Sequence, residues 1–260
     1  MSGTYRTCPK CGHQPAAPMS IDGQCPACGV FLRKWLATQA ALEAGTPLPV
    51  PASRLTAASE TGPWRAHLAA LLAPQPGTSP ATFHGRCAAL LFIAIWGLRL
   101  IAMDYRDGEI GHSFMHNIVL PIHEAGHVFL MPFGELLTIF GGSFFQVALP
   151  LGIGAAFALK NRDNFGAAVC LWWAGASLLD LAPYVYDALQ PQLMMLGGHT
   201  GEDGPHDWIY LLERCGQLHR AHGWGSFVHK LGAGVLLSGL AWGAAVLWRQ
   251  RNQLDSTAPD

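Results

Sequence analysis

The sequence has few charged residues. Aspartate, glutamate, lysine and arginine together make up 13% of the 260 residues, whereas about a quarter is usual for a soluble domain. Sixteen basic residues stand against seventeen acidic ones, which leaves a formal net charge of -1 and no excess of positive charge for nucleic acid. Half of the residues are hydrophobic. This composition argues against a nucleic-acid partner and predicts a multi-pass membrane protein in contact with a lipid bilayer.

No secretory signal is recognisable, because the region before the first apolar run is rich in cysteine and proline. Five apolar segments then follow, and they predict a mainly α fold, a polytopic helical membrane bundle. The segments are residues 87–103, 116–133, 136–159, 165–189 and 228–248. The second segment is short, so it either crosses the membrane or dips in and returns.

The distribution of Lys and Arg does not choose between these two arrangements of the second segment. If that segment returns, the loop with Lys160 and Arg162 and the tail with Arg249 and Arg251 are expected on the cytoplasmic side. If it crosses, the region of 214–230 is expected there instead.

Two Cys-x-x-Cys pairs near the N-terminus, Cys8 with Cys11 and Cys25 with Cys28, are separated by the thirteen residues 12–24. Each pair can offer two thiolates to one tetrahedral zinc ion, which predicts a structural zinc site. Two disulfides or a redox dithiol are the alternatives. The segment resembles small zinc-ribbon modules, for which a protein partner is expected. Because thiolates persist on a reducing side, the N-terminus is expected in the cytoplasm.

The predicted domain organisation follows from these patterns. Residues 1–33 are expected to form the zinc ribbon and 34–85 a linker with short helices, one at 30–44 against the ribbon and one at 64–72. Residues 86–250 form the membrane domain, and 251–260 are a tail.

A His-Glu-x-x-His motif lies in the second apolar segment, within the stretch IVLPIHEAGHVFLM. His123 and His127 are four residues apart, so on a helix they share one face and can hold one metal ion. Glu124 is turned about 100° from His123, beside the metal, where a general base takes a proton from water. Three ionisable side chains in an apolar segment are costly without a role, which favours a functional site over a chance match. Gly126 leaves room for a substrate backbone or a neighbouring helix.

A catalytic zinc ion needs three protein ligands, but there is no histidine six residues after His127 and no Glu at 136–201. Asp180 and Asp187 lie seven residues apart in the fourth apolar segment, on one helical face. An aspartate there is expected to face the bundle interior and meet a cation, so one of these two is predicted to be the third ligand. A hydrogen bond to a neighbouring helix is the alternative for Asp180, and an interfacial or histidine-orienting carboxylate for Asp187.

His206 and Asp207 form another cluster, in the polar loop after the fourth segment. This pair could belong to a cover over the site, transfer protons or act as a rival metal ligand. The alternative is a solvated loop with a helix-capping aspartate.

The HEAGH sequence at 123–127 and the LLD sequence at 178–180 resemble the site-2 protease family of intramembrane zinc metalloproteases. The resemblance covers about 118–189, and it implies cleavage of membrane-embedded or membrane-proximal peptide bonds with an aspartate as third zinc ligand. Two positions depart from the family pattern. Leu181 stands where the family has glycine, and the Gly-Ala-Ser sequence at 175–177 replaces Asn-Pro. Stabilising the tetrahedral intermediate would then fall to Gln146 or a backbone amide.

These patterns together predict a membrane-embedded zinc endopeptidase with one catalytic and one structural zinc ion. The expected substrate is a membrane protein or peptide, and the expected location is a bacterial plasma membrane. A non-enzymatic membrane protein that binds the metal for structure, sensing or transport is the main alternative. An adaptor that acts through its zinc ribbon is another.

Overall fold

The computed structural model describes residues 4–43, 63–75 and 78–257. The described chain is mainly helical, as predicted. It divides into two compact units, residues 1–66 and residues 67–260. The predicted linker at 34–85 is described only at its two ends, and residues 44–62 lie outside the described part.

The N-terminal unit contains a small two-stranded sheet and one helix. Strand β1 (Thr4–Tyr5) pairs antiparallel with β2 (Met19–Ser20), and helix α1 spans Leu32–Glu43. The helix confirms the expectation for 30–44. Its first residue, Leu32, is fully buried against Met19 and two of the cysteines. In the described residues 4–43, too few side chains are buried to hold such a unit together unaided, so a metal ion bound by the cysteines would add to its stability.

Four long helices dominate the second unit, and each is long and apolar enough to cross a membrane. They are α3 (Pro80–Ala102), α5 (Glu135–Ala156), α6 (Asn164–Asp187) and α8 (Ala221–Thr257). Three shorter helices accompany them, namely α2 (Pro63–Leu71), α4 (Phe114–Leu130) and α7 (Asp207–Arg214). Of the five predicted apolar segments, the one at 116–133 thus becomes the short helix α4. The predicted tail instead continues α8 as far as Thr257.

Local sequence signals set the helix starts. Ser79 accepts a hydrogen bond from the backbone N–H of Thr82 at the start of α3, and Pro80 follows it in the first turn. Ser113 caps α4 in the same way, through the N–H of His116. A serine at such a position satisfies a backbone donor that otherwise has no partner, worth about 1 kcal/mol.

Helix α6 lies at the centre of this unit, and α8 packs along it in the opposite direction. Glycines spaced seven residues apart on α8, at 225, 232 and 239, make the contact. A β-carbon at Gly232 would lie 2.9 Å from the backbone nitrogen of Leu179, and one at Gly239 would lie 2.6 Å from that of Trp172. Only glycine permits two helix backbones to approach this closely.

The directions of the helices define two ends of the unit. Arg86 lies over the ring of Phe165, and Trp96 contacts Trp172 further along, so α3 and α6 run parallel. Helices α5 and α8 run the opposite way. The first end therefore holds the starts of α3 and α6 and the ends of α5 and α8. There, Arg86 binds Asp163 at 3.2 Å and Gln250 at 3.4 Å.

Helix α4 connects two points at the same end of the unit. It follows α3, which finishes at the second end, and it precedes α5, which starts there. The turn at Met131–Phe133 and Gly134, whose φ is 97°, reverses the chain between α4 and α5. The connection between α3 and α5, which contains α4, therefore enters the bundle and returns to the end from which it came. This is the second of the two arrangements that the sequence left open.

Candidate metal centre

The two histidines of the HEAGH motif lie one turn apart on α4, as their spacing predicted. Their ring centroids are 4.9 Å apart. His123 is buried and His127 is half-buried. A carboxylate oxygen of Glu124 and one ring nitrogen from each histidine lie within 4.8 Å of one another. The motif thus gathers its three polar side chains at one point.

Hydrogen bonds behind the rings orient both histidines. The Nδ1–H of His123 donates to Oε1 of Gln146 at 2.7 Å, and the Nε2 of Gln146 donates to the backbone oxygen of Ser177 at 2.9 Å. The carbonyl of Ser177 can only accept, so it fixes which end of the amide faces the histidine. The Nδ1–H of His127 donates to the carbonyl of Thr138 at 2.8 Å. With Nδ1–H donated in this way, the neutral form of each ring carries its lone pair on Nε2, as a metal-ligating histidine does.

Asp207 is the carboxylate that faces these two nitrogens. Its Oδ2 lies 3.1 Å from Nε2 of His123 and 3.3 Å from Nε2 of His127. Asp207 is the first residue of α7, 80 positions after the second histidine. Of the roles expected for the His206-Asp207 cluster, the geometry matches that of a metal ligand for Asp207.

Asp180 and Asp187 make other polar contacts. Asp180 is buried and its Oδ1 lies 3.0 Å from Nδ1 of His116, two turns before His123 on α4. Oδ1 of Asp187 accepts the backbone N–H groups of Gln192 and Leu193 in the loop after α6. Each carboxylate therefore avoids lipid through a partner other than His123 and His127, and the role of one of them as third ligand stays a prediction.

Several contacts hold Asp207 in position. Its backbone N–H donates to the hydroxyl of Tyr184 at 2.9 Å, and the indole N–H of Trp208 donates to Ser143 at 3.1 Å. The ring of His206 caps α7 by accepting the N–H of Ile209. On its other side His206 Nε2 lies 3.5 Å from Asp187 Oδ2, so His206 supports the loop rather than facing the two ligand histidines.

Gly142 leaves the space between the ligands open. A β-carbon at this position of α5 would lie 2.5 Å from Nε2 of His123 and 2.5 Å from Nε2 of His127. It would occupy the point on which the two nitrogens converge. The donor set fits a divalent cation as well, because two imidazoles and a carboxylate are a common ligand set for one. Nearby, Gly126 and Gly141 bring the backbones of α4 and α5 into contact, as expected for Gly126.

A cavity of about 700 Å³ opens over the three ligand residues. It is lined by Glu124, by Tyr184 and by the apolar loop residues Leu193 and Met194. Gln146 also borders it, but both ends of its amide are engaged, so it positions His123 and is not free to bind an oxyanion. The sequence analysis missed Tyr184 and Thr138. Only their contacts across helices mark them, and no local pattern does.

The four N-terminal cysteines form a second cluster that can hold a metal ion. The sulfur atoms of Cys8 and Cys28 are 3.9 Å apart, and those of Cys11 and Cys25 are 3.8 Å apart. A tetrahedral site with metal–sulfur bonds of about 2.3 Å has sulfur atoms about 3.8 Å apart. A disulfide requires about 2.05 Å, so the alternative of two disulfides does not match this geometry.

The environments of the Cys8 and Cys11 thiols shift their pKa values in opposite directions. Desolvation raises the pKa of the Cys8 thiol, but hydrogen bonds from the backbone of Cys11 and Lys10 lower it to about 7 overall. The backbone of His13 lowers the pKa of Cys11, but the neighbouring Cys28 thiol raises it, to about 12 overall. Four adjacent thiolates would therefore need a cation between them, and without one Cys11 stays a thiol at neutral pH.

Comparison with known proteins assigns no family to the chain. No family model, no curated protein and no solved structure matches it. The chemistry of the two clusters is therefore the basis for a function.

Proposed function

We propose that the chain is a membrane-embedded, zinc-dependent endopeptidase. One observation carries the proposal: His123, His127 and Asp207 converge on one point beside Glu124, at the edge of a cavity. The arrangement lies in a unit that has four helices of membrane-spanning length. A polar cluster among apolar helices is costly, and metal binding together with catalysis explains why it is kept.

Electrostatics supports a cation at this point. With their Nδ1–H groups donated to Gln146 and Thr138, both rings direct lone pairs at Oδ2 of Asp207, which is itself an acceptor. In the neutral forms of the rings these three electron-rich atoms repel one another at such distances unless a positive charge, a proton or a metal ion, lies between them. Two nitrogens and one oxygen are ligands that zinc accepts, and three protein ligands leave a coordination position open, as catalytic zinc sites require.

A bound zinc ion supplies a Lewis acid that acidifies water and polarises a peptide carbonyl. The carboxylate of Glu124 takes a proton from the attacking water and returns it to the nitrogen of the leaving amine. Tyr184 accepts the N–H of Asp207, which leaves its own O–H free to donate to the oxygen that becomes negative in the transition state. The ring of Tyr184 lies 5.9 Å from that of His123, within the same cavity.

The resemblance to site-2 proteases stays part of this proposal. It is supported by the HEAGH helix among apolar helices and by an aspartate from a separate element. The proposed ligand is nevertheless Asp207 at the start of α7, whereas the resemblance implied Asp180 in α6. We therefore propose a divergent arrangement in which the third ligand comes from the segment that covers the cavity.

For the N-terminal unit, we propose a structural zinc ion held by the four cysteines and a role in binding a protein partner. All four coordination positions are occupied by sulfur, so this site has no open position for a substrate. The residues around it form a small core that the metal completes.

Replacement of Glu124 by Gln tests the enzyme against the non-enzymatic alternative. The variant should keep both zinc ions, because Glu124 is not one of the three proposed ligands, and it should lose hydrolysis. Purified protein in detergent would be incubated with an unstructured protein such as casein, and new peptide termini would be counted by mass spectrometry.

The matched control is Glu202→Gln, an exposed carboxylate in the loop before α7. It should retain both metal and hydrolysis. Equal cleavage by the wild type and Glu124→Gln would refute the proposed mechanism. An adaptor acting through its zinc ribbon would show no cleavage in any of the three proteins.

A further inference from the structure

The cavity lies at the second end of the helical unit. Its walls include Gly108 and His112 from the connection between α3 and α4, and Met195 and His199 from the loop after α6. Both connections follow helices that finish at the second end. The proposed ligand Asp207 belongs to the same loop region. The cavity is therefore reached from the second end, while Arg86, Asp163 and Gln250 close the first end.

Both ends of the helical unit's chain lie at the first end. Because α4 does not pass from one end to the other, the chain does so four times, once in each long helix. Pro80 and the final turns of α8 therefore lie on the same side. The hydrogen bond between Arg86 and Gln250 joins these two regions directly. A membrane around the four helices would thus have the start of α3 and the end of α8 on one face and the cavity on the other.

Charge distinguishes the two ends. Lys and Arg occur about equally at both, but the acidic residues collect at the second end. In the described part, those at the second end include Asp104, Asp107, Glu109, Glu135, Glu202, Asp203 and Glu213. Those at the first end are Asp163 and Asp255. The first end is thus net positive and the second net negative.

Lys and Arg, which mainly set the orientation of membrane helices, do not distinguish the two ends. The Cys-x-x-Cys pairs precede α3 in the chain, and their sulfur atoms are expected to stay reduced on the cytoplasmic side. This favours the first end in the cytoplasm, and the anionic cytoplasmic leaflet, which repels the acidic second end, favours it too.

We propose that the metal-binding cavity opens on the extracytoplasmic face of the membrane. The orientation stands on the helix directions, on the cysteines that precede α3 and on the excess of acidic residues at the second end. The consequence for substrates rests on the proposed function: the polypeptide that is cleaved reaches the site from the extracytoplasmic side, as an extracytoplasmic segment or the outer end of a membrane helix.

The chain carries its own reporter for this orientation. Cys215 is exposed at the end of α7, at the cavity end of the unit, whereas Cys87 and Cys170 are partly or fully buried within α3 and α6. A membrane-impermeant maleimide that adds mass would be applied to intact spheroplasts expressing the full chain. The wild type should shift on a gel, and Cys215→Ser should not.

The matched position for the first end is Asn161, which is exposed just after α5. Cys11 and Cys28 are exposed as well, so the Cys215→Ser protein is labelled after permeabilisation as a reference. Asn161→Cys in the Cys215→Ser background should show no label on intact spheroplasts and one label more than this reference after permeabilisation.

The opposite pattern would overturn the proposal: Cys215 protected in intact spheroplasts and reactive after permeabilisation, with Asn161→Cys labelled from outside. Labelling of both positions from outside would overturn it as well, since the two ends would then share one face. Glu124→Gln should label as the wild type does, so a protein without hydrolytic activity still gives a clear answer on orientation.

Discussion

Substitution of Gly142 by alanine tests the metal centre directly. The added carbon would lie 2.5 Å from the metal-facing nitrogens of His123 and His127, whereas ordinary contacts of such a carbon are 3.4 Å or longer. The two rings and α5 must therefore separate by about 0.9 Å, the difference between these distances. Metal–ligand distances tolerate about 0.2 Å. We expect the catalytic zinc affinity to fall by at least about 100-fold, the upper range for loss of a group that supports a ligand.

The assay measures zinc content after dialysis against buffered zinc. Wild-type protein should hold two ions per chain, one for each donor cluster, and Gly142→Ala should hold one. Gly152→Ala is the matched control, because it lies on the same helix and a β-carbon there meets nothing within 4 Å. The control should keep both ions, and its thermal midpoint should be unchanged or slightly higher, since alanine favours the helix by about 0.5–1 kcal/mol. Two zinc ions in Gly142→Ala, bound with unchanged affinity, would refute the proposed centre.

Four further substitutions separate the proposed roles. Asp207→Ala should lose the catalytic zinc ion while Asp180→Ala retains it, and zinc content that fell only in the second variant would support the original prediction for the third ligand. Tyr184→Phe should retain zinc and lower kcat by about 10²–10³-fold, the usual cost of removing one oxyanion donor, so an unchanged kcat would exclude that role. Cys25→Ser should lose one zinc ion and the hydrogen-exchange protection of residues 4–43, and it should leave cleavage by the helical unit intact.

The parts of the site that could be predicted from the sequence are those that depend on local geometry. Four-residue spacing on a helix is enough to place His123 beside His127, and the Cys-x-x-Cys spacing is enough to pair the thiols. Helix α6 could also be placed from its composition, because an apolar run of this length has few alternatives.

The proposed third ligand could not be predicted, because its position depends on contacts far apart in the sequence. The cost of an aspartate in an apolar helix correctly indicated that Asp180 needs a partner. That reasoning could not choose among partners, and the structure pairs Asp180 with His116. Asp207 is recruited by the fold of a loop that carries no periodic pattern, through contacts of α7 with Tyr184 and Ser143.

The position of Asp207 has a mechanical consequence. The cavity is lined on one side by Pro183 and Tyr184 of α6 and on another by the segment that runs from Gln192 to Asp207. If Asp207 is a metal ligand, an outward displacement of that segment would widen the cavity and at the same time move Oδ2 away from the metal ion. Access for a substrate and affinity for the metal would then be coupled, with the ion held most tightly while the segment is in its present position.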